Sequence, residues 1–260
     1  MKFLKITAAA AALAAVAFAG AAQAKEWTKV RMGTEGAYPP FNYIDSDGNL
    51  GGFDVEIGNA LCEELKIECV WVTQDWDGII PGLVAGKFDT IIASMSITPE
   101  RQKKISFSEK YYNTPPALAV PKDSDLKGVT LEDLKGRIIG AQSSTTHSTY
   151  AEQTFTESDV RLYPTAEDYK LDLESGRIDG AVDDVMVLSQ WIDEEGGDCC
   201  KILGTFKSVP EIHGEGAGIG VRKGDEDLAA MFSKAIKAIR ANGKYKEIND
   251  KYFKFDVYGE

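Results

Sequence analysis

Leu83-Val84-Ala85-Gly86-Lys87-Phe88-Asp89-Thr90-Ile91-Ile92-Ala93-Ser94 returns in the second half of the chain as Leu173-Glu174-Ser175-Gly176-Arg177-Ile178-Asp179-Gly180-Ala181-Val182-Asp183-Asp184. In each copy a helix ends at Gly, a basic residue and an Asp turn the chain, and an apolar strand follows. The echo has two readings, a common helix-to-strand connection or a pseudo-symmetric pair of units, and two copies are too few for a solenoid. Either reading puts Ser94 and Asp184 at the carboxyl ends of strands, where open α/β sheets take ligands.

Strand-like runs alternate with amphipathic helical patterns on both sides of these segments, the mark of α/β architecture. The first half reads as a strand at Val30–Gly33, a hairpin around Asp45–Asn49 and a helix over Val55–Leu65. A strand at Glu68–Val72, a helix over Gly78–Ala85, a strand at Thr90–Ser94 and a helix opening at Thr98 follow. The second half repeats the rhythm with strands at Arg137–Ala141, Arg161–Tyr163 and Gly180–Val182, and with helices through Thr149 and over Glu167–Ser175. Tyr112–Pro121, carrying Pro115 and Pro116, interrupts the pattern and is expected to be an extended crossing between two lobes. A second crossing is expected near Val209–Gly218, before a strand at Ile219–Val221 and helices to Tyr252. The expected organisation is residues 1–24 as a leader, 25–114 with 216–260 as one lobe, and 115–215 as the other.

The leader is read from Lys2 and Lys5, which precede an apolar run from Ile6 to Ala22 closed by Ala22-Gln23-Ala24, the layout of a secretory signal peptide cleaved after Ala24. The Ala-rich run is only marginally long enough for a membrane span. No Cys stands at the cleavage point, so no lipid anchor is expected. The 260 residues carry 29 Lys and Arg against 41 Asp and Glu, a formal charge of −12 that loss of Lys2 and Lys5 deepens. Such acidity argues against nucleic acid or anionic membrane as a partner and permits attraction of cationic solutes, although solubility alone also explains it. Cys62, Cys69, Cys199 and Cys200 allow three pairings in an oxidising compartment. A short staple between Cys62 and Cys69 is reasonable, and a bridge between the adjacent Cys199 and Cys200 would hold its Cα atoms closer than disulfides usually do. Metal binding by Cys199 and Cys200 lacks a His or a second Cys pair at zinc spacing.

Thr98-Pro99-Glu100-Arg101 has an N-cap Thr and a Pro at the first helical position, so Arg101 falls in a first turn. There its guanidinium could clamp a carboxylate bidentately; a surface Arg beside helix acids is the alternative. Ser143-Ser144-Thr145-Thr146 lies between a strand and a helix, where hydroxyls and amides could hold the same carboxylate or simply cap the helix. Glu35, Tyr38 and Trp76 follow strand-like segments and could receive a cation, unless the rings belong to the core. Asp184 could pair an ammonium or be an ordinary loop acid. Asp45-Ser46-Asp47-Gly48-Asn49 with Glu56 fits several calcium-loop positions, but Leu50 stands where that loop needs Gly, and the segment reads as a hairpin turn. His147 and His213 have no Ser or Cys nucleophile at a motif spacing, so a catalytic triad has no support.

Gly33-Thr34-Glu35-Gly36-Ala37-Tyr38-Pro39-Pro40-Phe41, Gly51-Gly52-Phe53-Asp54-Val55, Trp76-Asp77-Gly78-Ile79-Ile80-Pro81, Ser94-Met95-Ser96-Ile97-Thr98-Pro99-Glu100-Arg101 and Tyr252-Phe253 together resemble the polar amino-acid solute-binding proteins of ABC transporters, bacterial family 3. The likeness covers essentially the whole chain after the leader and is nearest to the lysine/arginine/ornithine- and histidine-binding group and its opine-binding relatives. It implies a two-lobed periplasmic binding protein of type II with two hinge crossings, a monomer in the periplasm without cofactor or metal, and an ABC permease as partner. By position, Arg101 would take the ligand carboxylate, with Ser96 and the Thr145–Thr146 backbone beside it. Ser94, next to Ala93, and Asp184 would take the α-ammonium, and Glu35 the distal cation. Tyr38 and Trp76 would sandwich the side chain, and Gln142 and His147 would tune selectivity. Cys62 and Cys69 match the disulfide of the cationic amino-acid binders. Ser144 stands where the family commonly has Gly. A ligand positive at one end and carboxylated at the other, with a free amine, is arginine, lysine or ornithine; an opine is the rival, and a periplasmic dehydratase or a sensor module on the same fold are further alternatives.

Overall fold

The buried Val30, Met32, Gly33 and Thr34 make Lys29–Thr34 a strand covered on both faces, β1, and the chain returns to it repeatedly. The computed structural model describes residues 25–259; the leader expected over 1–24 lies outside the described residues. After β1 come three short strands, β2 (Ala37–Tyr38), β3 (Asn42–Ile44) and β4 (Leu50–Gly51), which form a small antiparallel sheet with the expected Asp45–Asn49 hairpin turn. Then follow α1 (Phe53–Leu65), β5 (Glu68–Thr73), α2 (Trp76–Val84), β6 (Thr90–Ile91), α3 (Pro99–Gln102) and β7 (Ile105–Tyr112). The second unit is β8 (Pro116–Pro121), α4 (Leu131–Leu134), β9 (Ile138–Gln142), α5 (Thr146–Thr154), β10 (Asp159–Tyr163), α6 (Ala166–Glu174), β11 (Gly180–Asp184), α7 (Val185–Glu194), β12 (Cys200–Thr205) and α8 (Pro210–His213). The chain ends with β13 (Ala217–Arg222), α9 (Glu226–Ala241) and α10 (Lys244–Tyr252).

Two five-stranded sheets result, ordered β5-β1-β6-β13-β7 and β10-β9-β11-β8-β12. They have one plan: three parallel strands, then an antiparallel fourth, β13 or β8, which is the first strand after a crossing. The echoed segments occupy equivalent places. Gly86 and Gly176 take positive φ of 75° and 69°. Asp89 and Asp179 each clamp the neighbouring strand, accepting from Arg31 N at 3.0 Å and from Ile138 N at 2.7 Å. The two-lobed α/β architecture is therefore one connection used twice.

Three expectations need correcting. The strand read over Thr90–Ser94 ends at Ile91, and Ser94 sits beyond it at φ 53°. Most of the crossing read over Tyr112–Pro121 is β8, a strand inside the second sheet, because Pro116 and Pro121 stand at its ends while Ala117, Leu118, Ala119 and Val120 between them are fully buried. The first crossing shrinks to residues 113–115. The second, read over Val209–Gly218, contains the helix α8 and the start of β13, and only residues 214–216 link them.

An aromatic cluster holds the C-terminal helices against the first lobe, with Phe53 packed against Phe41, Tyr112, Tyr245 and Phe253. Each such fully buried ring contributes about 1.5–3 kcal/mol by leaving water. Gly52 opens α1 at φ 114°, where a Cβ would stand 2.3 Å from the Phe41 carbonyl oxygen. Only glycine lets the hairpin cross that closely, and the crossing buries Asp54. Cys62 is joined to Cys69, tying α1 to β5 with Cα atoms 6.2 Å apart, and Cys199 is joined to Cys200.

Candidate functional site

The carboxyl ends of β1, β6, β9 and β11 face one cleft between the sheets. From the first-sheet side Glu35, Tyr38, Trp76, Ala93, Ser94, Ser96 and Arg101 line a cavity, and from the second Gln142, Thr145, Thr146 and His147 complete it. Asp184 lines an adjoining chamber, which shares Tyr38, Ser94, Ser96, Thr146 and His147 with the first. All twelve residues singled out in the sequence thus meet in two connected spaces.

Arg101 enters from α3, which has only four residues, so little helix dipole stands behind it and the positive charge there is that of the guanidinium itself. Thr98 Oγ1 accepts from Arg101 N at 3.2 Å and fixes the turn. The guanidinium donates to the Ser96 carbonyl at 3.1 Å and the Ser144 carbonyl at 3.3 Å, and lies 5.3 Å from the Trp76 ring centroid. Among the described residues no carboxylate lies within ion-pair distance of it, and burial lowers its pKa to about 10. On the facing lobe Thr145 caps α5 by accepting from Ser148 N at 3.0 Å, which leaves the amides of Thr146 and His147 without intrahelical acceptors. Ser144 adopts the left-handed conformation at φ 58°, the geometry a glycine would take there.

Acidic groups stand elsewhere in the site. Burial pushes Glu35 up to about 7 against a 2.7 Å hydrogen bond from Gln142 Nε2, with Asp183, Asp75 and Asp77 adding repulsion. Burial likewise raises Asp184 to about 7, although the Thr114 hydroxyl and Met186 N both donate to it. Both shifts mean that a cation beside these groups would be favoured. His147 is held below its ordinary pKa by burial, against the pull of Asp183 at 3.4 Å from its Nε2. Cation-attracting carboxyls and a guanidinium without a carboxylate partner among the described residues, in one cleft, suit a zwitterion that carries an extra positive charge.

Some of the machinery escaped the sequence reading. Asp54 is fully buried and accepts from Ser94 Oγ at 2.9 Å, Tyr111 Oη at 2.7 Å and Asn42 Nδ2 at 2.8 Å, so it pins Ser94 in its turn. Burial lifts it to about 6 despite these bonds. Its signal was present in Gly51-Gly52-Phe53-Asp54-Val55, an acid set between two apolar residues in the first turn of a helix. Asp183, the other acid of the Asp183-Asp184 pair, accepts from Tyr38 and Tyr169 and is equally buried.

Comparison with known proteins agrees with this geometry. Residues 30–255 match the family model of bacterial extracellular solute-binding proteins, family 3. The chain is 45% identical to the L-arginine-binding protein of Pseudomonas aeruginosa, over 88% of this chain and 90% of that one. It is 37% identical to the lysine/arginine/ornithine-binding periplasmic protein of Escherichia coli, over 89% and 90%. An ancestral arginine-binding protein bound to arginine superposes with a TM-score of 0.80 at 34% identity, covering 87% of this chain and 98% of that one. With its two like sheets, its two crossings and a polar cleft at the strand ends, the chain belongs to the bacterial extracellular solute-binding proteins, family 3.

Proposed function

We propose that the protein captures arginine, lysine or ornithine in the periplasm and delivers it to the permease of an ABC transporter. The carrying observation is that Arg101, without a carboxylate partner among the described residues, and Glu35 line one cavity while Asp184 lines the chamber that opens from it. The ligand carboxylate pairs with Arg101 and the first amides of α5. The α-ammonium pairs with Asp184 and Ser94, and the distal cation lies beside Glu35 between the rings of Tyr38 and Trp76. In this reading residues 25–114 with 216–260 form one lobe and 115–215 the other, the ligand settles on the first, and closure brings Asp184 and the Thr145–Thr146 turn onto it. The chain is exported by its leader, cleaved after Ala24, and acts as a monomer. The names of the periplasmic relatives and the oxidised cysteine pairs support that compartment.

A second reading is an opine, favoured by the chamber beside Asp184, whose polar Thr114, Ser208 and His213 would face a substituent on the α-nitrogen. A lyase on the same fold would use Glu35 as a general acid, and its pKa of about 7 suits that role; its Gln142 hydrogen bond and its place beside Tyr38 and Trp76 are those of a cation receptor. One thermal-shift panel with arginine, lysine, ornithine, histidine, glutamine and octopine separates these. A ligand at 100 times its dissociation constant adds about 2.7 kcal/mol of stability. The largest shift is expected from arginine, lysine or ornithine, each recovered unchanged; a shift from octopine alone, or conversion of the ligand, overturns the proposal.

A further inference from the structure

Among the described residues, five hydrogen-bonded pairs join the two lobes across the cleft, apart from those at the hinge, where the Thr114 hydroxyl donates to Asp184 and the Glu215 amide to the Ile97 carbonyl. Four of them pair Gln142 with Glu35, Arg101 with the Ser144 carbonyl, Trp76 Nε1 with the same carbonyl, and Ser143 with Asp77. The first three use groups that the ligand itself engages in the reading above, so ligand entry rearranges them. The Ser143–Asp77 contact lies at the exposed rim, where water and salt weaken it. The fifth is different: the hydroxyl of Tyr38, on β2 of the first lobe, donates to the carboxylate of Asp183, on β11 of the second, and the contact is buried.

We propose that Asp183 is the closure latch of this protein, a positioning residue that holds the lobes together through the Tyr38 hydroxyl without touching the ligand. Asp183 is 1% exposed and lines neither of the two cavities. No Lys or Arg among the described residues lies within ion-pair distance of it; its carboxylate is held by hydrogen-bond donors and by the His147 imidazole. Tyr169 Oη donates at 2.5 Å, the Asp184 amide at 2.6 Å, and His147 Nε2 stands 3.4 Å away, all from its own lobe. Tyr38 is the one partner that opening the cleft would remove. The ring and the hydroxyl of Tyr38 therefore have separate tasks: the ring lines the ligand cavity, and the oxygen points out of it to Asp183. A charge-assisted hydrogen bond formed only on closure raises the fraction of closed molecules. Apparent affinity scales with that fraction, so the latch strengthens binding of every ligand by the same factor and leaves their ranking alone.

The inference rests on the capture reading, and the test separates the two. Affinities of arginine, lysine and ornithine are measured by calorimetry, and dissociation rates by stopped flow, for the wild type, Tyr38→Phe, Asp183→Asn and the double variant. Tyr38→Phe is expected to bind all three ligands about tenfold more weakly, in unchanged order, with the loss in the dissociation rate. The double variant is expected to be no weaker than the weaker single one, because both remove one shared interaction. Should Asp183→Asn fail to fold, Tyr38→Phe decides alone, since it deletes a single oxygen. A wild type that binds while Tyr38→Phe binds equally well overturns the latch only, as does a loss confined to one ligand or additive losses in the double variant. A wild type silent to all three amino acids overturns the capture reading, and the latch with it.

Discussion

Gln142 at the end of β9 donates a 2.7 Å hydrogen bond to Glu35 just past the end of β1, so the first carboxylate of the site is met by an uncharged partner from the opposite lobe. The amide steers Glu35 without neutralising it, and the charge remains for a ligand. Replacing Glu35 by Gln keeps an interlobe hydrogen bond, since either amide can turn to suit the other. Arginine and lysine are expected to bind about 30-fold more weakly, a loss of roughly 2 kcal/mol. The melting temperature without ligand should hold or rise, because a carboxyl whose pKa burial has pushed to about 7 costs stability when ionised. Calorimetry together with a melting curve checks both; unchanged arginine affinity would remove Glu35 from the site.

The guanidinium of Arg101 donates only to carbonyl oxygens among the described residues, at 3.1 and 3.3 Å. Arg101→Ala removes the partner of the ligand carboxylate in a water-poor cleft and is expected to cost ~3–5 kcal/mol of binding. Arg101→Lys should recover only part of this, because an ammonium cannot present two parallel N–H groups. Near-native calorimetric affinity of the alanine variant would contradict the assignment.

How far this site was legible in the sequence depends on how local each cause is. Arg101 and Asp184 both line the cleft, but their local signals, a cap with a proline and the end of an apolar strand, left an ordinary surface residue open for each, and it was the family resemblance that singled them out. The turn at Ser94 was missed because Asp54 fixes it from α1, with Tyr111 of β7 as the second clamp, and no periodicity reports such a meeting. Pro116 was misread because proline usually breaks strands, whereas here it only begins one. The echo around Gly86 and Gly176 was visible, but the shared sheet order that gives it meaning depends on β13 and β8, which lie far from the echoed segments.

The Ser144 carbonyl accepts hydrogen bonds from Arg101 and from Trp76 Nε1, presented by a left-handed backbone at φ 58°. A side chain costs about 1–2 kcal/mol in that conformation, part of which glycine returns as greater freedom of the unfolded chain. Ser144→Gly is expected to stabilise the protein by ~0.5–1 kcal/mol with arginine affinity within about twofold. A melting curve and a titration decide it, and a tenfold loss of affinity would show that the hydroxyl itself meets the ligand.

Burial holds Glu35 and Asp184 near 7, above their ordinary 4.5 and 3.8. The folded protein therefore binds more protons than the unfolded chain between about pH 4 and 7, so these two groups contribute stability at acid pH that is lost as pH rises through 7. Ligand binding runs the other way. A cation favours the carboxylates, so below pH 7 it must expel their protons, and arginine affinity is expected to fall about tenfold or more between pH 7.5 and 5.5. Titrations at pH 6 in buffers of different ionisation enthalpy should show proton release; heats that do not depend on the buffer would contradict the assignment of these two carboxyls.

Asp54 contacts no ligand in the proposed pose, yet it accepts hydrogen bonds from Ser94, Tyr111 and Asn42 at once. All three donate to the carboxylate, so Asp54→Asn must turn an NH₂ group toward at least one of them; a hydroxyl there can accept it, but its own buried proton then loses its acceptor, at a cost of about 1–3 kcal/mol. Ser94 then loses the carboxylate that holds it at φ 53°, and the α-ammonium loses a fixed neighbour. The variant is expected to melt lower and to bind arginine about tenfold more weakly, while keeping its preference for arginine over neutral amino acids, because Glu35, Arg101 and Asp184 are untouched. If the melting temperature falls with arginine affinity unchanged, Asp54 supports the fold alone and Ser94 keeps its turn without it. If the preference among ligands changes, Asp54 lies closer to the bound molecule than its hydrogen bonds imply.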